Sequence, residues 1–189
     1  MAADSVPGIV RRARRESELL VTAADVQRAI DRVSVRLALA LQDANPLVLT
    51  VLHGGLPYAA ELLKRFGFPL EIGYLHVGRY GAATQGGELR WHAQPDYGFA
   101  GRTVLVVDDI LDRGATLAAI VDWVRNARAA NVVTTVLVEK EIAAPRPIAA
   151  DYSALRCPDR YLFGCGMDYQ GYWRNLPGIY ALPRSMEST

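Results

Sequence analysis

The sequence predicts an α/β fold with a mostly parallel sheet flanked by helices, and three observations lead there. Short apolar runs recur (LVLTVL at 47–52, TVLVV at 103–107, VVTTVLV at 132–138) that are continuous, as in strands buried on both faces. Between them lie stretches whose apolar residues recur at spacings of three and four, the helical period. Turn residues separate the two kinds of segment. Strand and helix therefore alternate, which implies βαβ units feeding one parallel sheet with its ligands at the carboxyl ends of the strands.

Taken in order, Thr22 reads as a helix N-cap with Asp25 three positions on, and Val26, Ile30, Val33, Leu37 and Leu41 carry the helix towards Asn45 and Pro46. The first strand, 47–52, is broken by His53, Gly54 and Gly55, and Pro57 opens a helix reaching about Phe66. Residues 70–77 resemble a second strand. From 78 to 101 the pattern dissolves (GRYGAATQGGELRWHAQPDYGFAG), a length that suits a functional lid better than a passive connection. A third strand, 103–107, is followed by a helix marked by Leu117, Ile120, Val121 and Val124 that runs to about Ala129. The fourth strand, 132–138, is heavily β-branched. After a proline-bearing loop (AAPRPIAADY) comes a short fifth strand at 161–165 and an aromatic-rich tail. There is no internal repeat.

Composition narrows the function classes. A chain of 189 residues, 51% hydrophobic and 22% charged, is expected to form one domain with a real core. The net charge of +1 gives no global reason to expect nucleic acid or an anionic membrane as partner. No apolar run approaches the roughly 20 residues that span a bilayer. Arg11, Arg12, Arg14 and Arg15 are followed by Glu16 and Glu18, not by an apolar stretch, so a secretory signal does not fit; a solvated helical face or an oligomer contact does. Cys157 and Cys165 lack CxxC spacing, which argues against zinc and a disulfide framework and leaves a reducing cytoplasm as the expected setting.

The densest chemistry lies in VLVVDDILDRGAT, residues 104–116. Asp108, Asp109 and Asp112 follow a buried run, where like charges raise one another's pKa and cost stability unless a ligand, a cation or solvent satisfies them. Asp112-Arg113-Gly114-Ala115-Thr116 opens a helix, which gathers backbone N–H groups, the Thr116 hydroxyl and the positive end of the helix dipole into a phosphate cradle. A capping role for Asp112 or Thr116 alone would leave Asp108 and Asp109 without a purpose. The His53 turn and Lys140 follow strands on the same sheet edge. A nucleoside-triphosphatase would need Gly-Lys in a GxxxxGK[ST] loop, and no Gly-Lys occurs. A dinucleotide site fails too, since Gly164 and Gly166 have Tyr169 where the third glycine belongs, and neither HExxH nor GxSxG is present.

The stretch VLVVDDILDRGAT resembles the phosphoribosyl-diphosphate (PRPP) binding motif of type I phosphoribosyltransferases. VEK at 138–140 and DRYLFGCGMDYQGYWRNLP at 159–177 resemble the purine-binding strand and closing segment of the hypoxanthine-guanine members, and the similarity spans about 47–182. The resemblance implies the type I phosphoribosyltransferase fold in a single domain, 1–189, with a core of about 47–140 and a small hood built from the N-terminal segment and about 155–189. It implies transfer of phosphoribose from PRPP to hypoxanthine or guanine, giving IMP or GMP and diphosphate.

Residue by residue, the resemblance places Asp108 and Asp109 on the ribose hydroxyls and Asp112, Arg113, Gly114, Ala115 and Thr116 on the 5′-phosphate, with Asp112 also near purine N7 as general acid or base. His53, Gly54 and Arg174 would meet the diphosphate. Lys140, Tyr161, Leu162 and Asp168 would form the purine site. Lys140 can only donate hydrogen bonds, which suits a 6-oxo group better than an amino group. Alone, Lys140 would read as a solvated strand end and Tyr161 as a core aromatic. A Mg2+ ion is implied at Asp168, with Asp108 and Asp109 as further carboxylates. Arg79 and Tyr80 would belong to a flexible loop closing over the site, with Arg79 where a serine is usual. His53 stands where lysine is frequent, and a cis Leu52–His53 peptide is implied there. Asp108 replaces a frequent glutamate, and Arg113 a small residue. Small-molecule partners, no nucleic acid, no membrane and a homodimer or homotetramer complete the expectation. A xanthine-preferring enzyme and a PRPP- or nucleotide-sensing regulator on the same fold are the alternatives; the regulator calls for a basic surface, and the N-terminal arginines are the only basic cluster visible.

Overall fold

The computed structural model describes residues 6–79, 89–95 and 97–187. Its elements are α1 (Gly8–Glu16), β1 (Glu18–Val21), α2 (Ala23–Leu41), β2 (Leu47–Leu52), α3 (Leu56–Leu63), β3 (Glu71–Arg79), β4 (Leu89–Ala93), β5 (Thr103–Leu111), α4 (Ala115–Asn126), β6 (Asn131–Glu141), β7 (Tyr152–Pro158), β8 (Leu162–Phe163) and β9 (Ile179–Ala181), with a short 3-10 turn at Arg184–Met186. Six strands form one sheet in the order β4-β3-β2-β5-β6-β7, and β1, β9 and β8 form a second. In the large sheet β3, β2, β5, β6 and β7 run parallel, while β4 is antiparallel to β3.

The central strands are continuous apolar runs because both their faces are covered. On one side Val48, Leu105, Val107 and Leu137 pack against Ile30, Val33 and Leu37 of α2 and Leu62 of α3. On the other, Leu49, Val51, Val104, Val106 and Val136 pack against Leu117, Ile120 and Val124 of α4. Fully burying each such side chain contributes about 1.5–3 kcal/mol, which makes this sandwich the main source of stability. Thr22 caps α2 as its spacing predicts, its Oγ1 accepting from the Asp25 amide at 3.2 Å.

The fold class agrees with the sequence reading, and several elements differ. Residues 108–111, expected in a loop, continue β5; Lys140 likewise lies within β6. Part of the presumed lid is strand: β3 runs to Arg79 and β4 pairs back on it, Val77 with Trp91. The fifth parallel strand is β7, which begins where the proline-bearing loop was expected to end. The strand expected at 161–165 shrinks to β8 and belongs to the small sheet. Tyr161 therefore precedes a strand.

That small sheet joins distant parts of the chain, with Glu18 of β1 opposite Ala181 of β9 and Phe163 of β8 opposite Tyr180. Val10 and Ala13 of α1 are buried with Phe163, Tyr180, Leu182 and Met186 beneath it. The N-terminal arginines are thus more than a solvated face: Arg14 donates to the Tyr180 hydroxyl at 3.0 Å and lies 4.2 Å from the centre of its ring.

Candidate active site

Two adjoining cavities of about 360 Å3 and 470 Å3 open at the carboxyl ends of β2, β5 and β6, and Asp109, Ile110, Asp112 and Arg113 line both. The first cavity starts at the turn after β2, where the Leu52–His53 peptide is cis. Two glycines follow because no side chain fits. A Cβ on Gly54 would lie 1.9 Å from an Asp109 carboxylate oxygen, and one on Gly55 2.6 Å from the Val107 carbonyl. His53 and Gly54 line this cavity, together with Asp108, Gly114, Thr116 and Arg174.

Asp108 and Asp109 end the buried run of β5, both largely enclosed. Asp108 Oδ1 accepts from the Asp109 amide at 2.9 Å. Burial pushes the Asp108 carboxyl well above the ordinary range and the charge of Asp109 adds to the rise. Asp109 is raised by burial too, while its hydrogen bond with Asp108 and the Arg174 guanidinium pull the other way. After Asp112 and Arg113 the chain turns through Gly114, at φ 82°, into α4. No side chain caps α4. Neither Asp112 nor Thr116 is spent as a helix cap, so the opening amides around Ala115 and Thr116 remain for an anion.

The second cavity lies under the small sheet. Lys140 Nζ is 3.3 Å from Asp112 Oδ2 and 3.7 Å from Asp159 Oδ1, which joins the two halves of the site by charge. Asp112 Oδ1 is buried without a hydrogen-bond partner. Tyr161 and the buried Leu162 form one wall. The Tyr161 hydroxyl donates to the Asp168 carbonyl at 3.1 Å, and burial raises its pKa, with the Asp168 charge assisting. Asp168 is held by the Gly171 amide at 2.7 Å and by Arg174 at 2.5 Å. Arg174 also donates to the Gly166 carbonyl at 2.6 Å and lies 4.0 Å from Asp109, so one guanidinium spans both cavities. Gly166, at φ 104°, must be glycine: a Cβ there would lie 2.0 Å from the Gly54 carbonyl.

Thus His53, Gly54, Asp108, Asp109, Asp112, Arg113, Gly114, Thr116 and Arg174 line the first cavity, with Ala115 opening α4 between Gly114 and Thr116, and Lys140, Tyr161, Leu162 and Asp168 line the second. Arg79 ends β3, and Tyr80 lies outside the described residues. Sequence reasoning missed several neighbours. Asp159 and Glu187 line the second cavity, the latter accepting from the Tyr161 amide at 3.2 Å. His76 and His92 stack beside His53, with ring centres 4.4 Å and 4.6 Å apart along the row. Burial, with His53, His92 and Arg174 nearby, holds the His76 pKa below its ordinary value. Among the described residues, no group of three or more His, Cys, Asp or Glu is arranged to hold a metal ion by itself. None of their helices is long and apolar enough to cross a membrane.

Comparison with known proteins agrees with the fold. The family model for the phosphoribosyl transferase domain matches residues 20–170. A hypoxanthine-guanine phosphoribosyltransferase of Bacillus subtilis is 32% identical over 166 residues, 87% of this chain and 92% of the relative. A hypoxanthine-guanine phosphoribosyltransferase of Streptococcus pyogenes serotype M3 is 30% identical over 172 residues, covering 90% and 96%. Among solved structures, a hypoxanthine phosphoribosyl transferase of Trypanosoma cruzi superposes with a TM-score of 0.81 at 26% identity, over 90% of this chain and 93% of the other.

Proposed function

Because the chain belongs to the phosphoribosyl transferase family and is a phosphoribosyltransferase of purine salvage, we propose that its first cavity takes PRPP and its second a 6-oxopurine, yielding IMP or GMP and diphosphate. The carrying observation is Asp112, on the wall shared by both cavities and 3.3 Å from Lys140.

The PRPP 5′-phosphate lies on the uncapped start of α4, against the backbone of 112–116 and the Thr116 hydroxyl. Asp108 and Asp109 accept from the ribose hydroxyls. Their negative charge favours the oxocarbenium-like transition state, in which positive charge builds at C1′, more than it favours the neutral ribose. Lys140 donates to the purine 6-oxo group, Tyr161 stacks on the base and the Leu162 backbone reads its edge. The C1′–diphosphate oxygen bond breaks as the C1′–N9 bond forms. The purine proton at N7 passes to the Asp112 carboxylate. His53, Gly54 and Arg174 receive the departing diphosphate.

Asp108, Asp109 and Asp168 border the cavities with hard oxygen donors, a set that fits Mg2+ shared with substrate phosphates. Bound there, the ion would neutralise the leaving diphosphate. The protein acts in the cytoplasm, with Cys157 and Cys165 free, and cell fractionation checks this. It assembles as a homodimer or homotetramer, for which the exposed Ile72 and Tyr74 of β3 and Leu56 of α3 offer apolar surface. Sedimentation velocity giving only monomer would refute that assembly.

The deciding experiment is a spectrophotometric assay with PRPP and Mg2+ against hypoxanthine, guanine, xanthine and adenine in turn. Turnover of hypoxanthine or guanine is expected, with a loss of about 10²- to 10⁴-fold in Asp112→Ala, the usual worth of a positioned proton acceptor. Turnover confined to xanthine or adenine would replace the proposed substrate, and binding of PRPP without any turnover would favour a sensor.

A further inference from the structure

Arg146 belongs to none of the motifs above and lines neither cavity. It lies in the connection between β6 and β7, between Pro145 and Pro147. Its side chain turns back to the sheet edge. There Nε donates to the Asp112 carbonyl at 2.5 Å, and Nη2 donates to the Leu111 carbonyl at 3.3 Å and to the Lys140 carbonyl. Nη1 lies 3.5 Å from the Glu139 carboxylate.

These carbonyls lie where the ladder between β5 and β6 ends. The last pairs are Ile110 with Val138 and Leu111 with Glu139. Beyond them the chain after β5 turns towards α4, whereas β6 continues through Lys140 and Glu141. The Asp112 carbonyl lies beyond this parting and needs another partner when partly buried, while the Lys140 carbonyl, still beside β7 in the sheet, also accepts from the Ile142 amide at 3.1 Å. A guanidinium is a planar fork of five donors that can serve several at once; an ammonium on a flexible stem cannot hold the same plane. A second contact points the same way. Pro147 and Ile148 pack 3.5 Å from where a Cβ on Gly114 would lie, so the segment carrying Arg146 also supports the phosphate turn.

We propose that Arg146 is a positioning residue that clamps the main chain of Asp112 to that of Lys140. It thereby sets the gap in which a 6-oxopurine is read and its proton accepted. This rests on the reading of the two cavities given above. Asp112 follows β5 and Lys140 lies in β6, and the two face each other across 3.3 Å. Each has its carbonyl on the same guanidinium, so losing the clamp frees Asp112, which has left the ladder, from Lys140, which β7 still holds opposite Cys157.

Two measurements on full-length protein test this, using Arg146→Ala and Arg146→Lys. Hydrogen exchange of the ligand-free protein is expected to rise in 110–116 and, less strongly, in 139–141, while α2 and α3 keep their protection. Kinetics should show kcat/KM for hypoxanthine down about 100-fold in Arg146→Ala and a narrower preference for hypoxanthine over adenine. Added guanidinium ion should restore part of the Arg146→Ala activity and none in Arg146→Lys. Exchange confined to 142–150, or a lower melting temperature with unchanged base preference and no rescue, would overturn the proposal. A wild-type protein inert towards every purine would refute the assigned reaction instead, and the exchange measurement would still decide whether the clamp exists.

Discussion

Asp108 is buried beside a second carboxylate, and that cost is expected to be measurable as stability. Its folded pKa is raised by burial and by Asp109, so the folded chain holds this proton more tightly than the unfolded chain, where an aspartate titrates near about 3.9. The resulting stability is fully present below that value and is lost as pH rises through the folded pKa. Glu61 acts in the opposite sense, because hydrogen bonds from Lys64 and Arg65 hold it low. The informative quantity is therefore the difference between wild type and Asp108→Asn. At neutral pH the ligand-free variant should melt about 2–4 °C higher, equivalent to roughly 1 kcal/mol in a domain of this size. The gain should vanish near pH 4, and PRPP affinity should fall. Calorimetry in which the variant melts lower at neutral pH would show the aspartate to be stabilising. At the same scale, the legibility of the site divides by sequence distance. Asp108, Asp109, Asp112, Gly114 and Thr116 could be read because one strand-turn-helix holds them consecutively. His76, His92, Arg146 and Glu187 could not, since each reaches the site only through pairing with distant segments, and Asp159, though two residues before Tyr161, looks ordinary until Lys140 is beside it.

At the scale of elements, legibility followed burial. Strands covered on both faces produce apolar runs that periodicity detects, so β2 was found at its full length, and β5 and β6 were found with their ends cut short where Asp108, Asp109 and Lys140 replace aliphatic residues. Those polar residues remain in strand geometry because the ladder continues beside them, Asp108 opposite Val136 and Lys140 opposite Cys157. β4 and β7 were missed because they are the edges of the sheet, where one neighbour is absent and exposed polar residues break the pattern. β8 was read as a longer strand, 161–165, and β9, at three residues, is too short to carry any period. Their existence depends on partners elsewhere in the chain. The break at Gly54 was legible, whereas Gly166 was read only within an incomplete dinucleotide motif, and the contact between the two leaves no trace in the sequence.

At the scale of the molecule, the two cavities differ in the chain that builds them. The phosphate side comes from neighbouring βα units, β2 with its turn and β5 with α4. The base side needs the small sheet, in which Glu18 pairs with Ala181. That pairing has a kinetic consequence. Closing so long a loop costs more chain entropy than forming successive parallel strands, so the small sheet should be among the last parts to assemble. In pulsed hydrogen exchange during refolding, amides of β2, β5 and β6 should gain protection before those of β1 and β9, and simultaneous protection would contradict this. A growing polypeptide would accordingly acquire its sugar-phosphate half first. It would gain the ability to recognise a base only when the strand at 179–181 arrives to seal the roof.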